Sequence, residues 1–233
     1  MEIINGVRIL DLCLYFVEEK VLVLGDVHIG YEEALNKEGV LVPRYQFEDI
    51  MQRLKRVFEG LDVEKVVVNG DLKHEFGTIS ATEWRHTLKL LEFLLSKGEV
   101  VLVKGNHDVI LGPIADKKNV EVVDSVRIGE GLIIHGDKLV EIPSEVKFLI
   151  IGHEHPAVTI SEYPRMEKYK CFLLGKFSGK DLVVMPSFNL VTEGTNVLQG
   201  ELLSPFLEDV SNFNVFIVGE EKVYSFGKVK ELN

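Results

Sequence analysis

The sequence contains little cysteine and no long apolar run. Cys13 and Cys171 are the only cysteines, and they lie too far apart to suggest a structural zinc site. A disulfide scaffold is excluded at this length and content, so we interpret both as buried thiols in a reducing compartment. No apolar stretch approaches the roughly 20 residues of a membrane span, and the segment "MEIINGVRIL" lacks the pattern of a signal peptide. We therefore expect a soluble, cytoplasmic protein with no membrane partner.

Basic residues are also scarce. The chain of 233 residues has 26 lysines and arginines against 37 aspartates and glutamates, which gives a net charge of −11. A body of this charge repels phosphate backbones, so attraction of nucleic acid to the whole surface is not expected. A local basic or metal-bearing cleft could still bind an anionic substrate.

Apolar periodicity in the first half of the chain predicts strands that alternate with helices. The segments "VRIL", "LCLYFV", "KVLVLG", "KVVVNGD" and "EVVLVKGNHD" have the pattern of strands. Helical spacing occurs in "YEEALNKEG", "QFEDIMQRLKRVFEGL" and "ISATEWRHTLKLLEFLLSKG", and we expect Gly98 to close the last of these. The stripe of the second helix comprises Phe47, Ile50, Met51, Leu54, Val57, Phe58 and Leu61. This alternation predicts a parallel sheet covered by helices.

The second half of the chain is richer in strands. The segment "VEVVDSVRIGEGLIIHGD" predicts short strands joined by turns that contain glycine, and "KFLIIGHEH" predicts one more buried strand. Further strands are expected in "PAVTI", "CFLLGKF", "DLVVMPS", "FNVFIVG" and "KVYSFGK". No linker composition separates the two halves, so we expect two sheets packed into one domain over residues 1–233.

Metal-capable side chains follow five of the predicted strands, in "LGDVH", "VNGDLKH", "VKGNHD", "IIHGD" and "IIGHEH". Ligands of open parallel sheets bind beyond the carboxyl ends of the strands, so these side chains can converge although they are distant in sequence. The converging set would be Asp26, His28, Asp71, Asn106, His107, His135, His153 and His155. Carboxylate, imidazole and amide ligands suit manganese, iron or zinc, and the lack of cysteine argues against a closed zinc site. Their number favours two ions bridged by a shared carboxylate.

The ordered set "DVH", "GD", "GNHD", "HGD" and "GHEH" resembles the signature blocks of the calcineurin-like metallophosphoesterases. One block alone would be weak, whereas the ordered set is specific. The finer resemblance is to the archaeal SbcD-related phosphoesterases and the DNA-ligase-associated phosphoesterases, through "DVHIGYEEAL", "GDLKH" and "VVMPSFNLVTEGTNV". It implies an α/β fold of the metallophosphoesterase type, a sandwich of two mixed β-sheets flanked by α-helices.

The resemblance also implies roles for the converging residues. Asp26, His28 and His155 would hold the first metal ion and Asp71 would bridge to the second. Asn106, His135 and His153 would hold the second ion. His107 would be the general acid or would orient the scissile phosphate, and Asp108 would orient the loop or His107.

His74 corresponds to the histidine that closes the "GDLxH" stretch shared with the Mre11/SbcD nucleases, where it lies near substrate. From the residues alone, a site role and a surface role for His74 both stay open. The chain lacks the "GDxxDRG" form of many phosphatases, which favours a phosphodiester over a phosphoprotein substrate. Lys73, Arg44 and Arg165 could contact substrate phosphate, but surface ion pairs are our default interpretation. We interpret His86 as an ordinary helix residue.

These observations predict a dinuclear metal-dependent phosphoesterase, a hydrolase that cleaves phosphodiester or phosphomonoester bonds through a metal-bound hydroxide. Its cofactors would be two divalent ions, manganese first, with iron, zinc, nickel and cobalt as alternatives. A second hypothesis is a nuclease acting on DNA or RNA ends, and a third is a non-catalytic scaffold of the same fold. The expected partner is a phosphate ester, a nucleotide or a nucleic acid, and a DNA-repair partner is implied by analogy alone.

Overall fold

The chain forms two β-sheets that pack face to face, with helices on the outside of the first. The computed structural model describes residues 1–75, 79–109, 111–220 and 222–232. In the first sheet the strands lie in numerical order: β1 (Glu2–Ile4), β2 (Val7–Leu10), β3 (Cys13–Phe16), β4 (Val21–Gly25), β5 (Lys65–Asn69), β6 (Glu99–Val103) and β7 (Glu121–Val123). The helices are α1 (Tyr31–Lys37), α2 (Gln46–Val57), α3 (Ala81–Leu95) and α4 (Gly112–Lys118).

The second sheet is built from the strands that follow. They are β8 (Ser125–Ile128), β9 (Gly131–Ile134), β10 (Phe148–Ile151), β11 (Pro156–Glu162), β12 (Arg165–Phe177), β13 (Lys180–Val184), β14 (Thr195–Asn196), β15 (Asn214–Val218) and β16 (Val223–Lys228). Their order is β14-β11-β12-β13-β10-β9-β8, and β15 pairs with both β12 and β16. Single 3₁₀ turns lie at Val197–Gln199 and Val229–Glu231.

Both sheets are mixed, with a parallel centre. Strands β4 to β7 pair in parallel in the first sheet, and β9, β10 and β13 pair in parallel in the second. The N-terminal hairpins and the long strand β12 add antiparallel neighbours. The prediction of an α/β sandwich of two mixed sheets flanked by helices is therefore confirmed.

Strand β5 shows why the central strands are continuously apolar. Side chains alternate between the two faces of a strand, so Val66 and Val68 pack with the helices while Val67 packs in the cluster between the sheets. All three are buried. A strand covered on both faces needs apolar residues at consecutive positions, which explains the run "VVV".

The helical stripe predicted for α2 faces the first sheet. Ile50 and Leu54 are fully buried there, together with Leu90 and Leu94 of α3. The outer face of the second sheet is covered instead by the C-terminal segment, which contributes Phe206, Leu207, Val210, Phe213 and Val229 to a separate apolar cluster. The segment after Gly200 is thus part of the core packing.

Several elements differ from the sequence expectation. The structure adds β1, β14 and α4, which are too short to show a clear periodicity. Helix α3 ends at Leu95 and Ser96 caps it, so the prediction that Gly98 closes the helix is wrong. A Cβ atom at Gly98 would lie 2.5 Å from the carbonyl oxygen of Glu64, which indicates that this glycine allows two chain segments to approach. Within the described residues, no helix combines the length and the apolar character needed to cross a membrane.

We predict that Phe172→Ala lowers the free energy of unfolding by about 3–5 kcal/mol. Phe172 is fully buried between the two sheets, so truncation leaves a cavity that its neighbours cannot fill. Urea denaturation followed by circular dichroism measures the change. Phe226→Ala is the matched control, because Phe226 is 38% exposed, and its cost should stay below about 1 kcal/mol. Equal losses for the two variants would contradict the assignment of the core.

Candidate metal centre

The metal-capable side chains lie at one edge of the sandwich, where the parallel strands end. In the first sheet Gly25 pairs with Asn69 and Asn69 with Val103, so β4, β5 and β6 end level with one another. In the second sheet Ile134 pairs with Ile151 at the same edge. The loops after these five strands therefore meet, as the sequence analysis predicted.

Five of the predicted ligands adopt the left-handed backbone conformation, which is uncommon for residues other than glycine. Their φ angles are 52° for Asp26, 46° for His28, 44° for Asp71, 63° for His153 and 50° for His155. Such residues cost free energy and persist where the surrounding structure imposes them, often at functional sites. The geometry turns each side chain sharply out of its strand and toward the common edge.

Asp26, His28 and His155 form the first group of donors. Nε2 of His155 lies 3.4 Å from Oδ1 of Asp26 and 3.4 Å from Nε2 of His28. Their candidate ligand atoms all lie within 4.8 Å of one another. This is the set that the sequence analysis assigned to the first ion.

Asp71, His135 and His153 form the second group, again with ligand atoms within 4.8 Å of one another. Oδ1 of Asn106 lies 3.0 Å from Nε2 of His135 and so belongs to the same cluster. The backbone N–H of His153 donates to Oδ2 of Asp26 at 3.0 Å. The two groups are therefore adjacent parts of one site.

Asp71 lies between the two groups. Its Oδ2 atom is 3.7 Å from Nε2 of His28 in the first group and 3.4 Å from Nε2 of His135 in the second. Its Oδ1 atom accepts a hydrogen bond from the backbone N–H of His107 at 2.8 Å. Gly70 makes this packing possible, since a Cβ atom there would lie 2.0 Å from Nδ1 of His135.

Electrostatics keep the carboxylates of the site ionised. Burial raises the pKa of Asp71, but the imidazoles of His135 and His28 outweigh burial and bring the pKa well below its usual range. The pKa of Asp26 is lowered in the same way by His155 and His135, against the effect of burial. Burial and the nearby His155 lower the pKa of His28 to about 3. A metal ion requires neutral imidazole ligands and ionised carboxylate ligands. His28, Asp26 and Asp71 are in these states.

The donor set fits divalent metal ions. Oδ1 of Asp26 and Nδ1 of His135 are buried without a hydrogen-bond partner among the described residues, although the two atoms are only 3.6 Å apart. Buried polar atoms are normally hydrogen-bonded, so atoms that converge without such bonds are suited to a cation. Oxygen and imidazole donors without cysteine match the ligand preferences of manganese, iron and zinc.

His107 and His74 line the same cleft as His28 and His155. The Nδ1 atom of His107 hydrogen-bonds to the carbonyl oxygen of His74; because a carbonyl only accepts, Nδ1 carries the proton. Nε2 of His107 then faces Oδ2 of Asp71 at 3.9 Å. The ring of His74 stacks on that of His107 at 5.2 Å and meets the ring of Tyr31 edge-on at 4.5 Å. His74 thus lies at the cleft rather than on an unrelated surface.

Asp108 points away from the cleft. Its Oδ1 atom accepts from the backbone N–H of Leu72 at 3.2 Å and its Oδ2 atom from that of Gly105 at 3.0 Å. Burial, together with the charge of Asp71, raises the pKa of Asp108 to about 6. Of the two roles considered for this residue, the contacts favour orientation of the loop.

Three buried charged residues around the site were not identified from the sequence. Lys73 is fully buried and donates to the carbonyl oxygens of His107, at 2.7 Å, and of Glu75. Our default interpretation of Lys73 as a surface residue is wrong. Its position directly after "GDL" gave no sign of burial, because lysine is rarely found inside a protein.

The other two are glutamates that fix loops. Oε1 of Glu83 accepts from the backbone N–H groups of His74 and Glu75 at 3.0 and 3.1 Å, and Glu83 also completes a capping box with Ser80. Oε2 of Glu154 accepts from Leu203 at 2.7 Å and Ser204 at 3.0 Å. Of the three, only Glu83 has a signal in the sequence, its spacing from Ser80, which is typical of a helix N-terminus and which the sequence analysis did not use.

Solved structures that align with most of this chain include a nuclease, a phosphoesterase and a Vps29 protein. The MPE nuclease of Pseudomonas putida is 22% identical, with a TM-score of 0.64 over 93% of this chain and 92% of the nuclease. The phosphoesterase YfcE of E. coli is 13% identical, with a TM-score of 0.43 over 91% and 94% of the two chains. Vps29 of Entamoeba histolytica, solved with zinc, is 18% identical, with a TM-score of 0.40 over 88% and 96%. At 22% identity, the likeness to the nuclease shows the fold alone.

The family follows from the sequence itself. The search of curated proteins returned no match. A family model for calcineurin-like phosphoesterases, however, matches residues 19–219. That span runs from the start of β4 to the end of β15 and so includes all five loops of the site. Matched over most of its length and carrying His and Asp groups that can bind metal, the chain belongs to the calcineurin-like phosphoesterases, a family of metal-dependent hydrolases.

Proposed function

We propose that this chain is a dinuclear metal-dependent phosphodiesterase. The observation that carries the proposal is the position of Asp71, whose Oδ2 atom lies within 4 Å of histidines from both donor groups. A carboxylate shared by two ions is the basis of two-metal phosphoryl chemistry. Asp26, His28 and His155 would hold one ion, Asn106, His135 and His153 the other, and Asp71 both. The unit with this role would span residues 1–233.

Two divalent ions held by these residues would polarise the phosphate oxygens and lower the pKa of a coordinated water. The protein's own contribution is to fix the ligands in advance. Lys73 ties the carbonyl of His107 to that of Glu75, and Glu154 ties the loop of His153 and His155 to the segment at Ser204. Manganese stays our first choice of ion, and the oxygen and imidazole donors without thiolate suit it as they suit iron and zinc.

His107 is the proposed general acid. When both ring nitrogens are protonated, Nδ1–H stays on the carbonyl of His74 while Nε2–H is available on the side of Asp71. A proton delivered from Nε2 to the leaving oxygen would prevent the release of a bare alkoxide. His74 and Tyr31, which line the cleft beside His107, would orient the group attached to the phosphate. Asp108 would keep the loop of His107 in place.

A phosphodiester substrate is supported by the form of the second motif. The chain has "GDLKH" in place of "GDxxDRG", and His74 of that motif lies at the cleft. The same motif supports kinship with the SbcD-related and ligase-associated phosphoesterases. A nuclease is the second candidate, since the Pseudomonas putida protein of similar fold is a nuclease. A cytoplasmic location stays a prediction of the sequence.

We predict that Asp71→Ala lowers kcat/KM on a chromogenic phosphodiester by about a hundredfold or more. The variant should also bind fewer manganese ions per chain than the two expected for the wild type. Removal of the shared carboxylate leaves two cations to repel each other. Steady-state assays and elemental analysis of metal-stripped, reloaded protein measure both effects.

Asp62→Asn is the matched control for this substitution. Asp62 has a side chain that is 74% exposed and pairs with Lys20, so its loss should change neither quantity. Near-wild-type turnover by Asp71→Ala would contradict the proposed mechanism. A wild-type protein that binds no divalent ion would instead support the non-catalytic scaffold.

We predict that His107→Asn has an effect that depends on the leaving group. With bis(p-nitrophenyl) phosphate the loss of kcat should be small, because p-nitrophenolate leaves without a proton. With an alkyl ester such as a dinucleotide the loss should reach about a hundredfold or more.

The control is His86→Asn, a helix residue whose ring stacks on Phe47 at 4.1 Å. It should leave both rates unchanged. If His107→Asn slowed the two substrates equally, His107 would act by orienting the phosphate and the assignment as general acid would be wrong.

A further inference from the structure

His28, His74 and His107 form a third group of metal-capable side chains at the cleft. One ligand atom from each ring lies within 4.8 Å of those from the other two, and the ring centroids are 4.9, 5.2 and 5.5 Å apart. All three residues line the cleft. The group shares His28 with the first donor group, but it contains no carboxylate. Its donors are therefore different in kind from those of the proposed dinuclear centre.

The rings of this group keep lone pairs that a cation can use. Nδ1 of His28 and Nδ1 of His74 are buried without a hydrogen-bond partner among the described residues, which is uncommon for buried polar atoms. In His107 the Nδ1 atom carries the proton that is donated to the carbonyl oxygen of His74, so the lone pair of that ring is on Nε2. Each neutral ring can thus offer one nitrogen to an ion.

Negative charge beside the group comes from Asp71. Its Oδ2 atom lies 3.7 Å from Nε2 of His28 and 3.9 Å from Nε2 of His107. The ammonium group of Lys73, the nearest side chain of opposite sign in this loop, donates to the carbonyl oxygens of His107 and Glu75. A divalent cation among the three rings would therefore have a carboxylate beside it, and the lysine would be held by other acceptors.

A donor set made only of imidazole nitrogens selects among metal ions. Imidazole suits zinc, copper and nickel, whereas manganese prefers carboxylate, carbonyl and water oxygens, and affinity generally rises from manganese to zinc. Three histidines with an open fourth position are an established tetrahedral arrangement for zinc. The two donor groups of the proposed centre each include an aspartate. The three-histidine group is therefore the part of the cleft that favours zinc over manganese most strongly.

Zinc at this position would interfere with the proposed catalysis through two residues. His28 would be withdrawn from its group with Asp26 and His155, so the first catalytic ion would lose a ligand. The lone pair on Nε2 of His107 would be used by zinc, and the ring could not take up the second proton that a general acid must deliver. The same cleft would thus have one active and one inhibited metal arrangement.

We infer that His28, His74 and His107 form a zinc-binding position through which excess zinc inhibits the manganese enzyme. The position itself is argued from the three rings alone, whereas the inhibition rests on the proposed function. His74 distinguishes the two arrangements, because it belongs to neither donor group of the proposed dinuclear centre.

The activity test measures the zinc concentration that halves the rate of manganese-loaded protein on bis(p-nitrophenyl) phosphate, each variant being compared with its own rate without zinc. For His74→Asn this concentration should rise about tenfold or more, because one of three zinc ligands is lost. The matched control is His86→Asn, which removes a histidine that stacks on Phe47 outside the cleft and should keep the wild-type value. Zinc that merely replaced manganese beside Asp26 or Asp71 would inhibit the wild type and His74→Asn equally, and that result would overturn the inference.

Crystals of the manganese-loaded protein soaked in zinc give a readout that is independent of turnover. Anomalous maps from both sides of the zinc absorption edge should show a peak in contact with His28, His74 and His107 in the wild type, and no peak there in His74→Asn. Zinc found only beside Asp26 or Asp71 would overturn the inference. A wild type that shows the zinc peak among the three rings, yet hydrolyses no phosphodiester with manganese, would reject the proposed function and leave the zinc position in place.

Discussion

The site depends on two carboxylates held away from water. Asp26 and Asp71 are 0% and 2% exposed, and a buried negative charge is unfavourable unless positive charge lies beside it. Imidazoles from four loops surround these carboxylates at distances of 3.4 to 3.9 Å. Burial lowers the pKa of His135, but Asp71 and Asp26 outweigh burial and raise that pKa to about 9, so this imidazole balances part of the negative charge. Divalent cations held by the same donors would balance the charge more fully, so the burial of two carboxylates favours a metal site.

The rest of the architecture serves to bring these groups together. Parallel strands in two packed sheets end level at one edge, and left-handed residues turn the ligands inward in the loops after β4, β5 and β10. The loops are then fixed by side chains that do not reach the cleft, among them Lys73, Asp108 and Glu154. Ser204 adds a hydrogen bond from its hydroxyl to the carbonyl of Gly136, so the C-terminal segment contacts the loops of both His135 and His153.

Much of the fold and of the candidate site could be predicted from the sequence, because strand-forming runs and the polar residues after them are local signals. The five loops, the two sheets and the residues of both donor groups were found in this way. Other features depend on contacts between distant segments and leave no local pattern. The burial of Lys73, the close approach at Gly98 and the covering of the second sheet by Phe206 and Phe213 belong to this class. Short elements such as α4 lack the length to show a period.

The proposed function rests on one geometric claim, that Asp71 is shared by two cations. Crystals grown with manganese and measured at wavelengths on both sides of its absorption edge would test it most directly. The account predicts two anomalous peaks about 3.5–4 Å apart, one beside Asp26 and His155, the other beside His135 and His153, with Asp71 in contact with both. A single peak, or two peaks with Asp71 bound to only one of them, would contradict it.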